Sequence, residues 1–428
     1  MEMGRIDIIA KNDDQRKNGV QRRELGLYIH IPFCEKKCEY CDFLSAPGTE
    51  AMKREYVEAL MTEIESYQGK TSAYVVPTIF FGGGTPSCIP ESYIISIMTG
   101  LRNTFCIKEE ELEATIEVNP GTITKEKLMG YQKAGINRIS FGLQSTDNIE
   151  LQRLGRIHCY DDFLQNYRLA REIGFCNINI DLMSALPGQT VDSWERTLRT
   201  IAELEPEHIS AYSLIIEEGT GFYERYKPGA PFEKELPDEK TDRQIYYRTK
   251  EVLESYGYYR YEISNYAKAN HECRHNNSYW IGTEYLGIGL GAASLLNGTR
   301  FSNVMDIKQY IDQINGNRME YKKQGSGESK HLESFTMDED RLGIRRDMKQ
   351  LTYEEQMEEF MFLGLRRCEG INKEFFFQRF GKNIETIYGD LLLKLEEQNL
   401  VEKVEDQIRL TEYGIDVSNA VLSEFLLN

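Results

Sequence analysis

From Leu25 onward the chain repeats one pattern: a short run of β-branched and aromatic residues, a loop containing Gly or Asn, then a stretch with apolar residues three or four apart. The short runs are 27–31, 78–81, 114–118, 138–141, 177–182 and 208–214, and helical stretches fill the gaps at 50–67, 91–103, 125–134, 161–173 and 193–204. Apolar spacing of three or four places one helix face on a core, and bounded β-rich runs fit strands. Six strands alternating with helices predict an α/β fold with a parallel sheet and right-handed crossovers. Periodicity alone does not separate an open sheet from a partial barrel.

A longer helix is predicted over 238–256, and 306–325 holds one short amphipathic stretch. Near the C-terminus, 353–367, 372–380 and 385–398 are amphipathic, and 400–410 alternates like a hairpin turning at Glu405–Gln407. Three helices and a hairpin form a winged-helix-like, mostly helical domain. The expected organisation is a flexible segment 1–24, a core 25–237, an extension 238–325, a charged linker 326–349 and a C-terminal domain 350–428.

Length and charge narrow this picture. A chain of 428 residues exceeds the usual single core. A net charge of −18 argues against a nucleic-acid partner, which needs clustered Lys and Arg, so the winged-helix-like domain is expected to pack or dock rather than bind DNA. Nine cysteines without a regular framework suit reduced thiols and a cytoplasmic location. No run of about 18 apolar residues occurs and the N-terminus has no signal-like apolar stretch, so membrane contact is expected to be peripheral at most.

The strongest chemical signal is Cys34-x3-Cys38-x2-Cys41, directly after the first strand. Thiolates are soft ligands for zinc or iron–sulfur clusters. Zinc normally takes a fourth Cys or His at matching spacing, whereas the other cysteines are scattered singly. Three thiolates on a [4Fe–4S] cluster leave one iron open to a further ligand. Further along, Phe81-Gly-Gly-Gly-Thr-Pro86 is either a tight turn or a place where backbone approaches a ligand. Glu117, Gln144, Arg156 and Asp181 fall at or after successive strand ends, as structural caps or as contacts to a polar ligand. The stretch 258–294 is rich in Tyr, His, Trp and Gly. It suits a planar aromatic ligand, with His275 as a heme ligand, or else an aromatic core in which His275 bonds a backbone carbonyl.

With those residues in view, the cysteine spacing resembles the signature of the radical S-adenosylmethionine (SAM) enzymes. The chain from about Leu25 to its end resembles the radical-SAM coproporphyrinogen III oxidases, and within them the heme-chaperone branch. The resemblance rests on Tyr28-x-His-Ile-Pro-Phe-Cys34, the three cysteines, Phe81–Pro86, Gln144, Arg156, Asp181 with Leu186-Pro-Gly-Gln189, and His275-Asn-x-x-Tyr-Trp280. It implies a partial (β/α)6 barrel with function at the C-terminal ends of the strands. It further implies a [4Fe–4S] cluster on Cys34, Cys38 and Cys41, and SAM against Tyr28, Tyr40, Gly83, Gly84, Thr85, Glu117, Gln144, Arg156, Asp181 and Ile215. Heme would bind at His275, Asn276, Tyr279 and Trp280. No catalytic side chain is assigned. The oxidases carry a fourth cysteine where this sequence has Phe43, and a longer N-terminal arm. The resemblance therefore implies heme binding and transfer to acceptor proteins such as cytochromes, with a homodimer among the assemblies it allows. The alternative is a radical enzyme acting on a porphyrin.

Overall fold

The structure, a computed structural model, describes residues 22–325, 340 and 342–427. The expectations for 1–21, 326–339 and 341 lie outside the described residues. Six parallel strands, β1 (Arg23–Ile31), β2 (Tyr74–Gly83), β3 (Glu113–Val118), β4 (Arg138–Gln144), β5 (Ile178–Ser184) and β6 (His208–Ser213), lie side by side in chain order. Between them run α1 (Glu50–Ser66), α2 (Glu91–Thr104), α3 (Lys125–Ala134), a short α4 (Asn148–Arg153) that periodicity did not reveal, α5 (Tyr160–Ile173) and α6 (Val191–Ala202). Thr49, Thr124, Asp147 and Thr190 cap α1, α3, α4 and α6 through side-chain oxygens.

The strands carry two different faces. Leu27, Ile29, Ile79, Phe81, Ile116, Ile139, Phe141, Ile180, Leu182 and Ile209 are fully buried in one continuous core. Each such side chain stabilises the fold by roughly 1.5–3 kcal/mol on burial. Alternate positions point the other way and are polar: Tyr28, Thr115 and Glu117, Arg138 and Ser140, Asn179 and Asp181, His208 and Ser210. The register sets them beside one another, with Thr115 opposite Arg138, Glu117 opposite Ser140, Asn179 opposite His208 and Asp181 opposite Ser210. Polar groups buried without partners cost about 1–3 kcal/mol each. Thr115 Oγ1 and Arg138 Nε have none among the described residues. This inner face opposes stability, which is the mark of a site.

After α7 (Gly221–Tyr226) and α8 (Glu239–Ser255), the chain adds β7 (Tyr259–Arg260) and β8 (Asn265–Ala267) antiparallel beyond β6. It then forms α9 (Arg274–Trp280) and emerges at the opposite edge as β9 (Glu284–Ile288), parallel to β1, followed by β10 (Ala293–Leu296) and β11 (Thr299–Asn303). The sheet thus has 12 strands. The stretch within 306–325 is one helix, α10 (Ile307–Gly325).

The linker expected over 326–349 needs correction at its end. Arg345–Gln350 forms β12, antiparallel to β11, and closes that edge of the sheet. Its run of Arg, Arg, Asp, Met, Lys and Gln hides the strand, because an edge strand exposed on one side carries charges that discourage further pairing. Likewise Arg23 and Glu24, placed with the flexible segment, already belong to β1. The C-terminal domain has its own core around Met361, Phe376, Leu392 and Ile408. It comprises α11 (Tyr353–Gly364), β13 (Ile371–Asn372), α12 (Lys373–Phe380), α13 (Ile384–Glu397), the hairpin β14 (Val401–Val404) and β15 (Gln407–Leu410), and two short helices, α14 (Glu412–Asp416) and α15 (Ser418–Ser423).

Candidate functional site

The three cysteines lie on the loop leaving β1, at the C-terminal end of the strands, and each is half-buried. The loop is tied from several sides: Cys34 N–H donates to Ala46 O (3.2 Å), Cys41 N–H to Cys38 O (3.2 Å) and Glu39 N–H to Leu154 O (3.1 Å). Gly84 and Thr85 donate their N–H groups to Ile31 O (2.9 Å) and Phe33 O (2.8 Å), so the glycine run is stitched to the start of the cysteine loop. Gly84 is required there, since a Cβ would fall 2.7 Å from Phe33 O. Gly83 has φ +112° and lies under the His30 ring, 2.6 Å from where a Cβ would stand.

Arg156 is the cation of this end. Nη1 is 3.5 Å from both Cys38 Sγ and the Tyr40 hydroxyl, and Nη2 donates to Asn119 Oδ1 (3.2 Å) and to Gly142 O. Its Nε is buried without a partner among the described residues. Cys34 Sγ lies 3.5 Å from Thr85 Oγ1. Burial first, and then the neighbouring Cys38 and Cys34, push the Cys41 thiol up. Among the described residues no group of three or more His, Cys, Asp or Glu side chains is drawn together as metal ligands. The donor chemistry nonetheless fits a cluster: three soft sulfurs on one loop, a guanidinium against one of them, and that guanidinium holding a spare donor. The same spare donor and the exposed Ile215 beyond β6 suit a ligand with a carboxylate and an apolar part.

Beneath the loop, the polar inner face encloses a cavity of about 180 Å³. Of the residues singled out by sequence, it brings together Tyr28, Glu117, Asp181, His275, Asn276 and Tyr279. Burial, then the nearby Asp181 carboxylate, pushes Glu117 up to about 8. Asp181 is also pushed up by burial while accepting from Ser140 Oγ (3.0 Å) and Asn179 Nδ2 (2.8 Å). Asn179 Oδ1 in turn lies 2.6 Å from His208 Nδ1. Arg138, Ser140, Asn179, His208, Ser210 and Tyr212 belong to this lining and were not singled out. Their signal was available: polar residues at every second position of strands otherwise made of Ile, Leu and Phe.

α9 closes the cavity from the N-terminal side of the strands. Glu113, the first residue of β3, accepts from the N–H groups of Arg274 (3.1 Å) and His275 (3.0 Å) and so anchors the helix start. The His275 ring is buried, stacks on Phe80 at 5.2 Å and has both nitrogens engaged: Nδ1 lies 3.0 Å from Thr78 Oγ1 and Nε2 2.9 Å from the Tyr279 hydroxyl. Burial, with the Arg138 charge second, pushes its imidazole down to about 3, so it is neutral. Its partners are two hydroxyls, not the backbone carbonyl of the packed-core expectation. Trp280 lies apart from the cavity with Arg366 stacked over it at 4.6 Å.

Residues 28–201 match the Radical SAM superfamily and residues 351–417 the HemN C-terminal domain. The chain is 36% identical over 399 residues to heme chaperone HemW of Bacillus subtilis, covering 93% of this chain and 98% of that one. It is 33% identical to heme chaperone HemW of Haemophilus influenzae, covering 94% and 98%. A zebrafish (Danio rerio) protein, radical S-adenosyl methionine domain-containing protein 1, mitochondrial, is 30% identical, covering 88% and 83%. Among solved structures, coproporphyrinogen III oxidase (HemN) from Escherichia coli superposes with a TM-score of 0.73 over 95% of this chain and 90% of that one, at 23% identity, so it shares the fold.

Proposed function

Because this chain belongs to the HemW family within the radical SAM superfamily, we propose that it is a heme chaperone, binding heme and passing it to acceptor proteins such as cytochromes. The observation that carries this reading is relatedness to HemW chaperones over 93% of this chain and 98% of the relative. Phe43, exposed on the cysteine loop where the oxidases have a fourth cysteine, supports the same choice.

Cys34, Cys38 and Cys41 would hold a [4Fe–4S] cluster, and SAM would lie between the cysteine loop and the strand ends. When bound, the reduced cluster supplies an electron for SAM cleavage. The chain's own residues prepare that end. Arg156 offsets charge at Cys38 and offers its free Nε to a carboxylate, while the stitching of Gly84 and Thr85 fixes the loop against β1. Glu117, pushed up to about 8 by burial and then by Asp181, can donate as well as accept a hydrogen bond at the strand ends.

The test is titration of the anaerobically reconstituted full chain with hemin, followed by mixing with an apocytochrome. Stoichiometric binding and transfer are expected, together with loss of cluster iron in Cys34→Ser, Cys38→Ser or Cys41→Ser. Protoporphyrinogen forming with turnover from coproporphyrinogen III, SAM and reductant would replace the chaperone reading by the radical-enzyme one.

A further inference from the structure

The polar inner face carries a chain of hydrogen bonds that leaves the cavity and reaches α9. Asp181 accepts at both carboxylate oxygens, from Asn179 Nδ2 (2.8 Å) and from Ser140 Oγ (3.0 Å). Asn179 Nδ2 gives its other hydrogen to Ser140 Oγ (2.7 Å). Asn179 Oδ1 is left to accept, from Ser210 Oγ (3.1 Å) and from His208 Nδ1 (2.6 Å). On its other side, His208 Nε2 lies 2.7 Å from the hydroxyl of Tyr261, in the turn between β7 and β8. That hydroxyl accepts from the N–H of Cys273 (3.2 Å), the cap residue of α9. Cys368 N–H, from the C-terminal domain, donates to Tyr261 O (2.9 Å) and holds the same residue from outside.

Each step of this chain has one direction. An amide oxygen is only an acceptor, so His208 Nδ1 carries the hydrogen. Burial, then the Arg138 charge, pushes the imidazole well below its ordinary range, so the ring holds that hydrogen alone and Nε2 accepts from the Tyr261 O–H. His208 is 1% exposed and Asn179 3%, so bulk water does not compete for these bonds. The two ends of an amide have nearly the same shape, and turning Asn179 over would set its oxygen against the Asp181 carboxylate. The His208 Nδ1–H is the group that holds the amide the right way round.

We infer that His208 is a positioning residue for the SAM site. Its Nδ1–H locks the Asn179 amide, and the amide together with Ser140 grips Asp181 from behind. Asp181 is left showing lone pairs to a ligand that brings hydroxyl or amino hydrogens. The inference rests on the reading that SAM binds against Asp181, and adds the residue that sets how Asp181 is presented. Because the chain begins at the cap of α9, the helix that carries His275 and the SAM contact share one line of hydrogen bonds.

Full-length wild type, His208→Phe, His208→Asn and His208→Gln, reconstituted anaerobically, are titrated with SAM by calorimetry, alongside cluster iron content and melting temperature. Phenylalanine removes the Nδ1–H and is expected to weaken SAM binding about ten-fold, the worth of one net hydrogen bond, with cluster iron retained. Asparagine returns an N–H at the Nδ1 position but does not reach Tyr261, whereas glutamine reaches Tyr261 without that N–H. SAM affinity is therefore expected within about three-fold of wild type for His208→Asn and as weak as His208→Phe for His208→Gln, while both lose stability. A residue that only supported the fold would instead order the variants by melting temperature. Equal SAM affinity in His208→Asn and His208→Gln, or wild-type affinity in His208→Phe, would overturn the inference. Asn and Gln add no bulk to the site, so their comparison stands if His208→Phe fails to fold. A wild-type protein that binds no SAM would overturn the underlying SAM reading, and the inference with it.

Discussion

The Tyr279 hydroxyl stands 2.9 Å from His275 Nε2, and Thr78 Oγ1 stands 3.0 Å from Nδ1, so one buried imidazole joins α9 to β2. His275→Ala strands two hydroxyls and leaves a void, and is expected to destabilise the protein by about 2–4 kcal/mol. Tyr279→Phe removes one partner and is expected to cost about 1 kcal/mol. Urea unfolding of the two variants measures the difference; equal, small losses would contradict a two-sided clamp.

The same ring predicts a pH dependence. Its folded pKa of about 3 lies below the ordinary 6.5, so between those values the unfolded chain takes up a proton that the folded one refuses. Stability therefore falls as pH drops below about 6.5. Glu117 acts in the opposite sense. Its folded value of about 8 lies above 4.5, so the unfolded chain loses its proton first and stability falls as pH rises through that window. Glu117→Gln removes this penalty. Its melting temperature should rise relative to wild type progressively between pH 5 and 8 and then level off, and parallel curves would refute the assignment.

Arg156 ties the cysteine loop to the far strands through Cys38, Tyr40, Asn119 and Gly142. Arg156→Ala should lower SAM affinity by about ten- to a hundred-fold, the worth of a hydrogen-bonded charge of roughly 1.5–3 kcal/mol, and reduce cluster occupancy on reconstitution. Lysine cannot reproduce the planar fork and should rescue only in part. Isothermal titration with SAM and iron analysis read both effects; an unchanged affinity in the alanine variant would remove Arg156 from the site.

Gly84→Ala tests the stitching of the two loops. The added Cβ meets Phe33 O at 2.7 Å, and backbone cannot step aside as a flexible side chain can. A loss of about 1–3 kcal/mol is expected, with the Gly84–Ile31 and Thr85–Phe33 hydrogen bonds displaced and cluster iron reduced. Full iron content in a stable Gly84→Ala protein would show that the loop position is not set here.

The six parallel strands and the helices between them were legible because a strand buried under helices must be apolar on one face and a covering helix must be apolar along one stripe. The cysteine loop was legible because no structural demand crowds three thiols together. β12 was not, since a charged edge strand looks like a linker, and α4 was not, since six residues carry less than two turns of periodicity. The inner face was half-visible: Glu117 and Asp181 stood out, whereas Arg138, Asn179 and His208 did not until the register aligned them. A cavity lined by Arg23, Arg300 and Arg379 was invisible in principle, because contacts between distant segments bring these residues together.

Only Leu351 and Thr352 separate the end of β12 from the start of α11, and Leu351 is itself buried, its N–H donating to Gly298 O (2.9 Å). Elsewhere the C-terminal domain is fastened by Arg243 to Asp416, and by Lys250 (2.6 Å) and Arg260 (2.7 Å) to Glu412. A tether this short has no slack. A pull on the C-terminal domain is therefore delivered lengthwise to β12 and borne by its ladder with β11.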